Sequence, residues 1–291
     1  MIAQFALRLI CGMSLMWALM PRRQVTSGFF RIQMLVVMGL GVLATLSAAM
    51  EVRSITGAAH SSELGWLPIL MSLSVGLIAL LGLLGFVGSV LWTLERRTGA
   101  ERVGYSVLFF STALIVVPHF IPNVVIYIAD TVVVGTLPSV ATSHLTGALI
   151  ATSEFAGAAL LGSTVVGMLL GHWYLTTPTM SIEPLKRLNL FMGVAGLLRL
   201  IVSAAVVLML WGGAFDSAET SLRLAAVPKA WLGLRWLAGV IGPIVVSLMV
   251  WQILKYRNTQ AATGVLFVGV ILAFIGDMTA ALLLQETSLP F

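Results

Sequence analysis

Residues 66–94 read WLPILMSLSVGLIALLGLLGFVGSVLWTL, an unbroken stretch without one charged side chain. A helix needs about 20 residues to cross the hydrocarbon core of a bilayer, so this stretch is long enough to span it with some tilt. In lipid every backbone N–H and C=O must be satisfied within the segment, which a helix does and an isolated strand does not. Comparable apolar runs fall at Ile2–Met20, Arg31–Met50, Trp66–Leu94, Val103–Tyr127, Leu145–Tyr174, Leu188–Trp211, Trp231–Leu254 and Ala262–Leu284. Together they predict an all-α fold, a polytopic integral membrane bundle of eight transmembrane helices in which residues 1–291 form a single transmembrane domain. Alternating strand patterns are absent, which excludes an outer-membrane barrel.

Composition points the same way. The chain is 59% hydrophobic and 9% charged, with a mean hydropathy of +1.05, where soluble domains carry about 25% charged residues. Secreted, cytosolic and nucleic-acid-binding classes are excluded despite a pI near 9.9. The expected partners are the lipid bilayer and either further copies of the chain or a larger membrane complex. The lone Cys11 has no internal disulfide partner and reads as a packing residue. No basic n-region precedes the first span, so that span is expected to be retained.

Lys and Arg concentrate on the cytoplasmic side of membrane proteins. The connections after spans one, three, five and seven carry Arg22, Arg23, Arg31, Arg96, Arg97, Arg102, Lys186, Arg187, Lys255 and Arg257; the other side carries Arg53, Arg223 and Lys229. This asymmetry predicts both termini on the outer side, the periplasmic side of an inner membrane in a bacterium.

The two halves align weakly at an offset of 155 to 159 residues, which admits a 4+4 parallel tandem repeat with halves 1–130 and 145–291. Trp17-Ala-Leu-Met-Pro21 resembles Trp173-Tyr-Leu-Thr-Thr-Pro178, and Arg31 matches Arg187. Trp92 with Arg96 matches Trp251 with Lys255, and Val107-Leu-Phe109 matches Val265-Leu-Phe267. In this register His119 stands opposite Asp277.

Ionisable residues inside a span are costly and usually face a bundle interior, a cavity or a partner. Here they are Arg8, His119, Glu154, Arg199, Arg235 and Asp277, gathered toward the outer half of the membrane. Two readings are open. In one, Arg8 and Arg235 snorkel outward while Glu154 and Asp277 pair with arginines to fix helix packing. In the other, the layer lines an outward-facing cavity for protons, ions or a polar solute. Glu154 and Asp277 would then exchange protons, His119 would tune or relay, and Arg199 would supply the countercharge. Pro118 and Pro122 flank His119 and either free carbonyls for ion coordination or mark the end of that span.

Proton- or ion-coupled transport of a small solute is therefore the first functional expectation. A haem b- or quinone-binding subunit of a redox complex is the alternative, with His119 and His144 as axial ligands and Arg8 or Arg235 near the propionates. The four-plus-four plan is similar to that of haem A synthases. That resemblance implies histidine pairs on the second and fourth spans of each half. Only His119 matches, Asp277 occupies the last such place, and spans two and six have none. A scaffold role in a larger assembly is the third reading. Nucleophile triads, a His-Glu-x-x-His motif and a P-loop are all missing, and no lysine lies mid-span to hold a retinal Schiff base.

Among the remaining features, His60 reads as solvated, and His172 with Trp173 and Tyr174 as an interfacial aromatic belt. Gly82, Gly85, Gly88 and the Gly167/Gly171 pair read as close helix contacts. Asp216-Ser-Ala-Glu219 and Asn258-Thr259 read as helix starts.

Overall fold

A computed structural model describes residues 1–58, 67–117, 144–177, 179–211 and 227–287. The described residues form helices and short connections, with no strand among them. The helices are α1 (Ile2–Leu19), α2 (Ser27–Ala58), α3 (Leu67–Thr93), α4 (Arg97–Val116), α5 (His144–Thr176), α6 (Glu183–Trp211), α7 (Lys229–Lys255) and α8 (Thr259–Thr287). Seven of them are long and apolar enough to cross a membrane, consistent with a multi-pass integral membrane protein. The exception, α4, opens on the charged residues Arg97, Glu101 and Arg102, and the stretch through Pro118, His119 and Pro122 lies outside the described residues. So do His60 and Asp216–Glu219, and the side chain of His144.

Packing divides the helices into two rings. In the first, α1 packs on α2 and α4, and α3 on α2 and α4; in the second, α5 packs on α6 and α8, and α7 on α6 and α8. The rings meet chiefly where α1 lies along α5. Paired contacts give the directions. Cys11 meets Thr112 while Arg22 meets Tyr105, so α1 and α4 are antiparallel. Arg8 meets Glu154 and, one turn on, Gly12 meets Ala158 and Gly162, so α1 and α5 run parallel.

That last crossing is set by small residues. A Cβ on Gly12 would overlap the Ala158 carbonyl, and one on Gly162 would overlap the Gly12 backbone. Lipid tails are as apolar as leucine, so helix association in a bilayer depends on such backbone approach rather than on burying apolar area. The predicted glycine contacts between α2 and α3 are present, with Gly82 against Gly41 and Gly85 and Gly88 against Met38 and Met34. On α5, Gly171 lies against Thr263 and Gly167 against Leu266.

Helix α7 is not regular throughout. Its α-helical ends, Lys229–Trp236 and Gly242–Lys255, flank a π turn at Leu237–Ile241, where the Gly242 N–H donates to the Leu237 carbonyl. Pro243 explains it: proline has no N–H to give the Gly239 carbonyl, and its ring crowds the preceding turn, which widens. At this widened turn Gly239 crosses Gly276 of α8, and a Cβ on Gly239 would lie 2.8 Å from the Gly276 Cα.

The connections α3–α4 and α7–α8 are alike. Each places one non-glycine residue at positive φ, Glu95 at 54° and Arg257 at 55°. Glu95 N–H donates to Trp92 and Arg97 N–H to Glu95; correspondingly, Arg257 N–H donates to Leu254 and Thr259 N–H to Arg257. The predicted helix start at Asn258 is present, its Oδ1 accepting the Ala261 N–H at 3.0 Å. These matching turns are 162 residues apart, outside the 155–159 range of the sequence matches.

Candidate functional site: a buried ion-pair network between the rings

Four ionisable side chains from four helices converge in the half of the bundle that holds the start of α1 and the end of α8. Arg8, in the second turn of α1, directs Nε and Nη2 at the two carboxylate oxygens of Glu154 on α5. Its Nη1 donates to Asp277 Oδ2 on α8 at 3.0 Å. Asp277 turns its other oxygen to α6, where Arg199 Nη2 donates to Oδ1 at 3.3 Å. The order Glu154–Arg8–Asp277–Arg199 alternates in sign and balances, two guanidinium charges against two carboxylates. The planar fork of Arg8 suits it to the central place, because it takes one carboxylate with two nitrogens and reaches a second with the third.

Burial makes the network consequential. Arg8 is 4% exposed, Arg199 2% and Asp277 1%; the Glu154 side chain keeps 12%. Removing one partner of such a group strands a charge away from water, which costs about 3–5 kcal/mol. Arg235 of α7 is fully buried beside the network and donates from Nη2 to Ser203 Oγ at 3.1 Å. Ser203 lies one turn beyond Arg199 on the same face of α6.

Two features leave room inside this cluster. Gly157, one turn after Glu154 on α5, has no side chain to fill the place where α6 and α8 approach; a Cβ there would lie 3.2 Å from both Arg199 Nη1 and Asp277 Oδ1. A cavity of about 10 Å³ opens against the network, walled by the four charged residues together with Ser153, Ala280 and Leu284. That is about the space of one water molecule. Arg199 meets it with capacity to spare: its Nε and Nη1 have no acceptor among the described residues.

Sequence reasoning singled out Arg8, Glu154, Arg199, Arg235 and Asp277, and all five lie in or beside this cluster. The pairing of both carboxylates with arginines is present. Snorkelling of Arg8 and Arg235 is not, because both are buried inside the bundle rather than extended toward an interface. Arg8 spends three nitrogens on Glu154 and Asp277, and Arg235 is engaged inside α6–α7. His119 and the His144 side chain lie outside the described residues. His172 is exposed at the opposite end, where its neighbours tie connections together: Trp173 Nε1 donates to Thr26 Oγ1 at 2.9 Å and Tyr174 donates to the Ser181 carbonyl. Among the described residues no group of three or more His, Cys, Asp or Glu is placed to hold a metal ion.

The sequence reading missed Ser153, Gly157 and Ser203. The spacing of Gly157 from Glu154 and of Ser203 from Arg199, three and four residues, puts each on its partner's helix face and was the available signal. No protein-family model, curated protein or solved structure matches the chain.

Proposed function

We propose that the protein is a proton- or ion-coupled carrier of a small solute, built from two four-helix units of like orientation that rock about the α1–α5 crossing. One observation carries this reading: Arg8, from the first ring, closes on Glu154 and Asp277 of the second, just beyond the backbone contact of Gly12 with Gly162. A tight backbone contact is a pivot, and breakable ion pairs beside it are a latch. Tilting α1 about Gly12 would part Arg8 from both carboxylates and enlarge the cavity they now close.

An eight-span count is part of the same proposal. Parallel α1 and α5 support it, because with α4 as a crossing the number of reversals between them is even. The shared ring order and the matching turns at Glu95 and Arg257 support a 4+4 arrangement. The excess of Lys and Arg at the end opposite the termini supports both termini facing outward, and the cluster would open to the outside. Within this scheme Glu154 and Asp277 exchange protons or ions with the outer phase, and Arg8 and Arg199 are the charges they leave and rejoin. His119 stays a relay candidate on sequence grounds alone.

The test uses proteoliposomes loaded with a pH-sensitive dye. Sugars, amino acids, carboxylates and inorganic ions are added one by one to the acidified outer buffer. The carrier reading expects solute-dependent internal acidification in the wild type and none in the double variant Glu154→Gln/Asp277→Asn. Unchanged acidification in the double variant, or none with any solute in the wild type, would overturn it.

A further inference from the structure

We infer that Arg199 is the receiving group for a small monocarboxylate, which binds by displacing the carboxylate of Asp277. The inference rests on the carrier reading and names its substrate class. Arg199 and Arg8 share one aspartate and differ in everything else. Arg8 is filled, with three nitrogens engaged by two carboxylates. Arg199 makes one bond, from Nη2 at 3.3 Å, and its Nε and Nη1 lack acceptors among the described residues although the residue is 2% exposed. A guanidinium carries five N–H donors, and a buried one left mostly unfilled is a position built for acceptor atoms that arrive from elsewhere.

The fork geometry fixes how they arrive. A carboxylate grips a guanidinium by two parallel bonds, along either the Nε/Nη2 edge or the Nη1/Nη2 edge. Both edges include Nη2, which Asp277 now holds. A bidentate ligand must therefore compete with Asp277. Charge sets its valence. The quartet of Arg8, Arg199, Glu154 and Asp277 is balanced and Arg235, buried beside it, adds one positive charge, so one negative charge brings the five groups to neutrality, and a proton on Asp277 frees Arg199 to receive it. The charged groups facing Asp277 are Arg8 from α1, Arg199 from α6 and Arg235 from α7, with Glu154 of α5 on the same cavity, and a dianion would leave the five with excess negative charge. Shape sets the remainder of the molecule. Ala280 and Leu284 form an apolar wall along the cavity and Ser153 offers a single hydroxyl, which suits a short alkyl or hydroxyalkyl chain once the tilt of α1 has widened the present one-water space. Gly157 keeps the Nη1 side open, because a Cβ would stand 3.2 Å from that atom.

Propionate and lactate serve as probes, with chloride and sulfate beside them, titrated calorimetrically into the purified full-length protein at about pH 5.5 and about pH 7.5. Saturable propionate binding is expected, tighter at the lower pH by up to about a hundredfold, about tenfold per pH unit for the one proton that removes the competitor, and about tenfold or more weaker in Arg199→Gln. Asp277→Asn is the diagnostic variant, since a residue that merely held the fold together would not behave this way: binding should persist and lose its pH dependence. Gly157→Ala, which keeps every charge, should weaken propionate and serves if Arg199→Gln does not fold. No saturable monocarboxylate binding, equal binding of chloride, or undiminished affinity in both Arg199→Gln and Gly157→Ala would overturn the inference. If monocarboxylates fail to bind while another solute drives acidification in liposomes, the substrate class falls and the carrier stands. If propionate binds as described and no solute drives acidification, the site stands and the carrier falls.

Discussion

Asp277 presents Oδ1 to Arg199 at 3.3 Å, and the pair has its space because position 157 carries no side chain. Asp277 is thus held from two sides, by Arg8 and Arg199, while Glu154 is held, among the described residues, by Arg8 alone. The two carboxylates, alike in the sequence, should respond differently to neutralisation. Asp277→Asn should cost about 3–5 kcal/mol, because it strands the buried Arg199 and takes from Arg8 one of its two carboxylates. Glu154→Gln, at a partly open position, should cost nearer 1–3 kcal/mol. Midpoints of denaturant unfolding in detergent give the ranking, and the reverse order would remove Asp277 from the centre of the network.

Arg8 and Glu154 should show strong coupling. Arg8→Gln alone leaves Glu154 and part of Asp277 without a cation, whereas Arg8→Gln with Glu154→Gln removes charge from both sides. A double-mutant cycle should return an interaction of about 1–3 kcal/mol, with the double variant more stable than the Arg8→Gln single. Additive losses would mean that the two side chains do not meet.

The α1–α5 contact makes a steric prediction independent of charge. Gly12→Ala and Gly162→Ala each drive a methyl group into opposing backbone and should lower the unfolding midpoint sharply, by an amount typical of core overpacking, about 1–3 kcal/mol or more. Gly39→Ala and Gly264→Ala meet nothing within 4 Å. They should be neutral or stabilise by up to about 1 kcal/mol through helix propensity.

Sidedness is checked with a membrane-impermeant maleimide on whole cells, in a Cys11→Ser background. Cysteines replacing Gln24 or Thr98, at the Arg-rich end, should label only after permeabilisation. Cysteines replacing Ile2 or Glu286 should label at once. All four positions are exposed, so inverted labelling would reverse the orientation rather than report burial.

A visible spectrum of the purified protein, taken oxidised and reduced after expression with added haem precursor, should be featureless. Arg8 is committed to two carboxylates and Arg235 to the α6–α7 interior, which leaves neither to a propionate. A Soret band with reducible visible bands would refute that and return His119 and His144 to consideration.

Much of this was legible in the chain. Runs such as 66–94 predict membrane helices because length and apolarity are local properties. The buried charges stood out because a charge inside an apolar run has few places to go. What could not be read was partnership. Nothing local to Arg8 says that it reaches Glu154 and Asp277, 146 and 269 residues away, instead of extending along its own helix to an interface. Gly157 looked like any glycine on a membrane helix, and its meaning depends on which two side chains approach it.

The π turn in α7 gives that helix a reading frame. An extra residue is accommodated at Leu237–Ile241, so residues before it and after it belong to two helical registers that differ by about 100°. Arg235 stands on the early side and Ser247, whose hydroxyl donates to the Asn189 carbonyl at 3.0 Å, on the late side. Deleting one residue within the turn would restore ordinary periodicity and leave Arg235 and Ser247 on their present faces, whereas the same deletion elsewhere between them would swing Arg235 by about 100° toward another face. A one-residue loss inside Leu237–Ile241 should accordingly survive where a one-residue loss later in the helix does not.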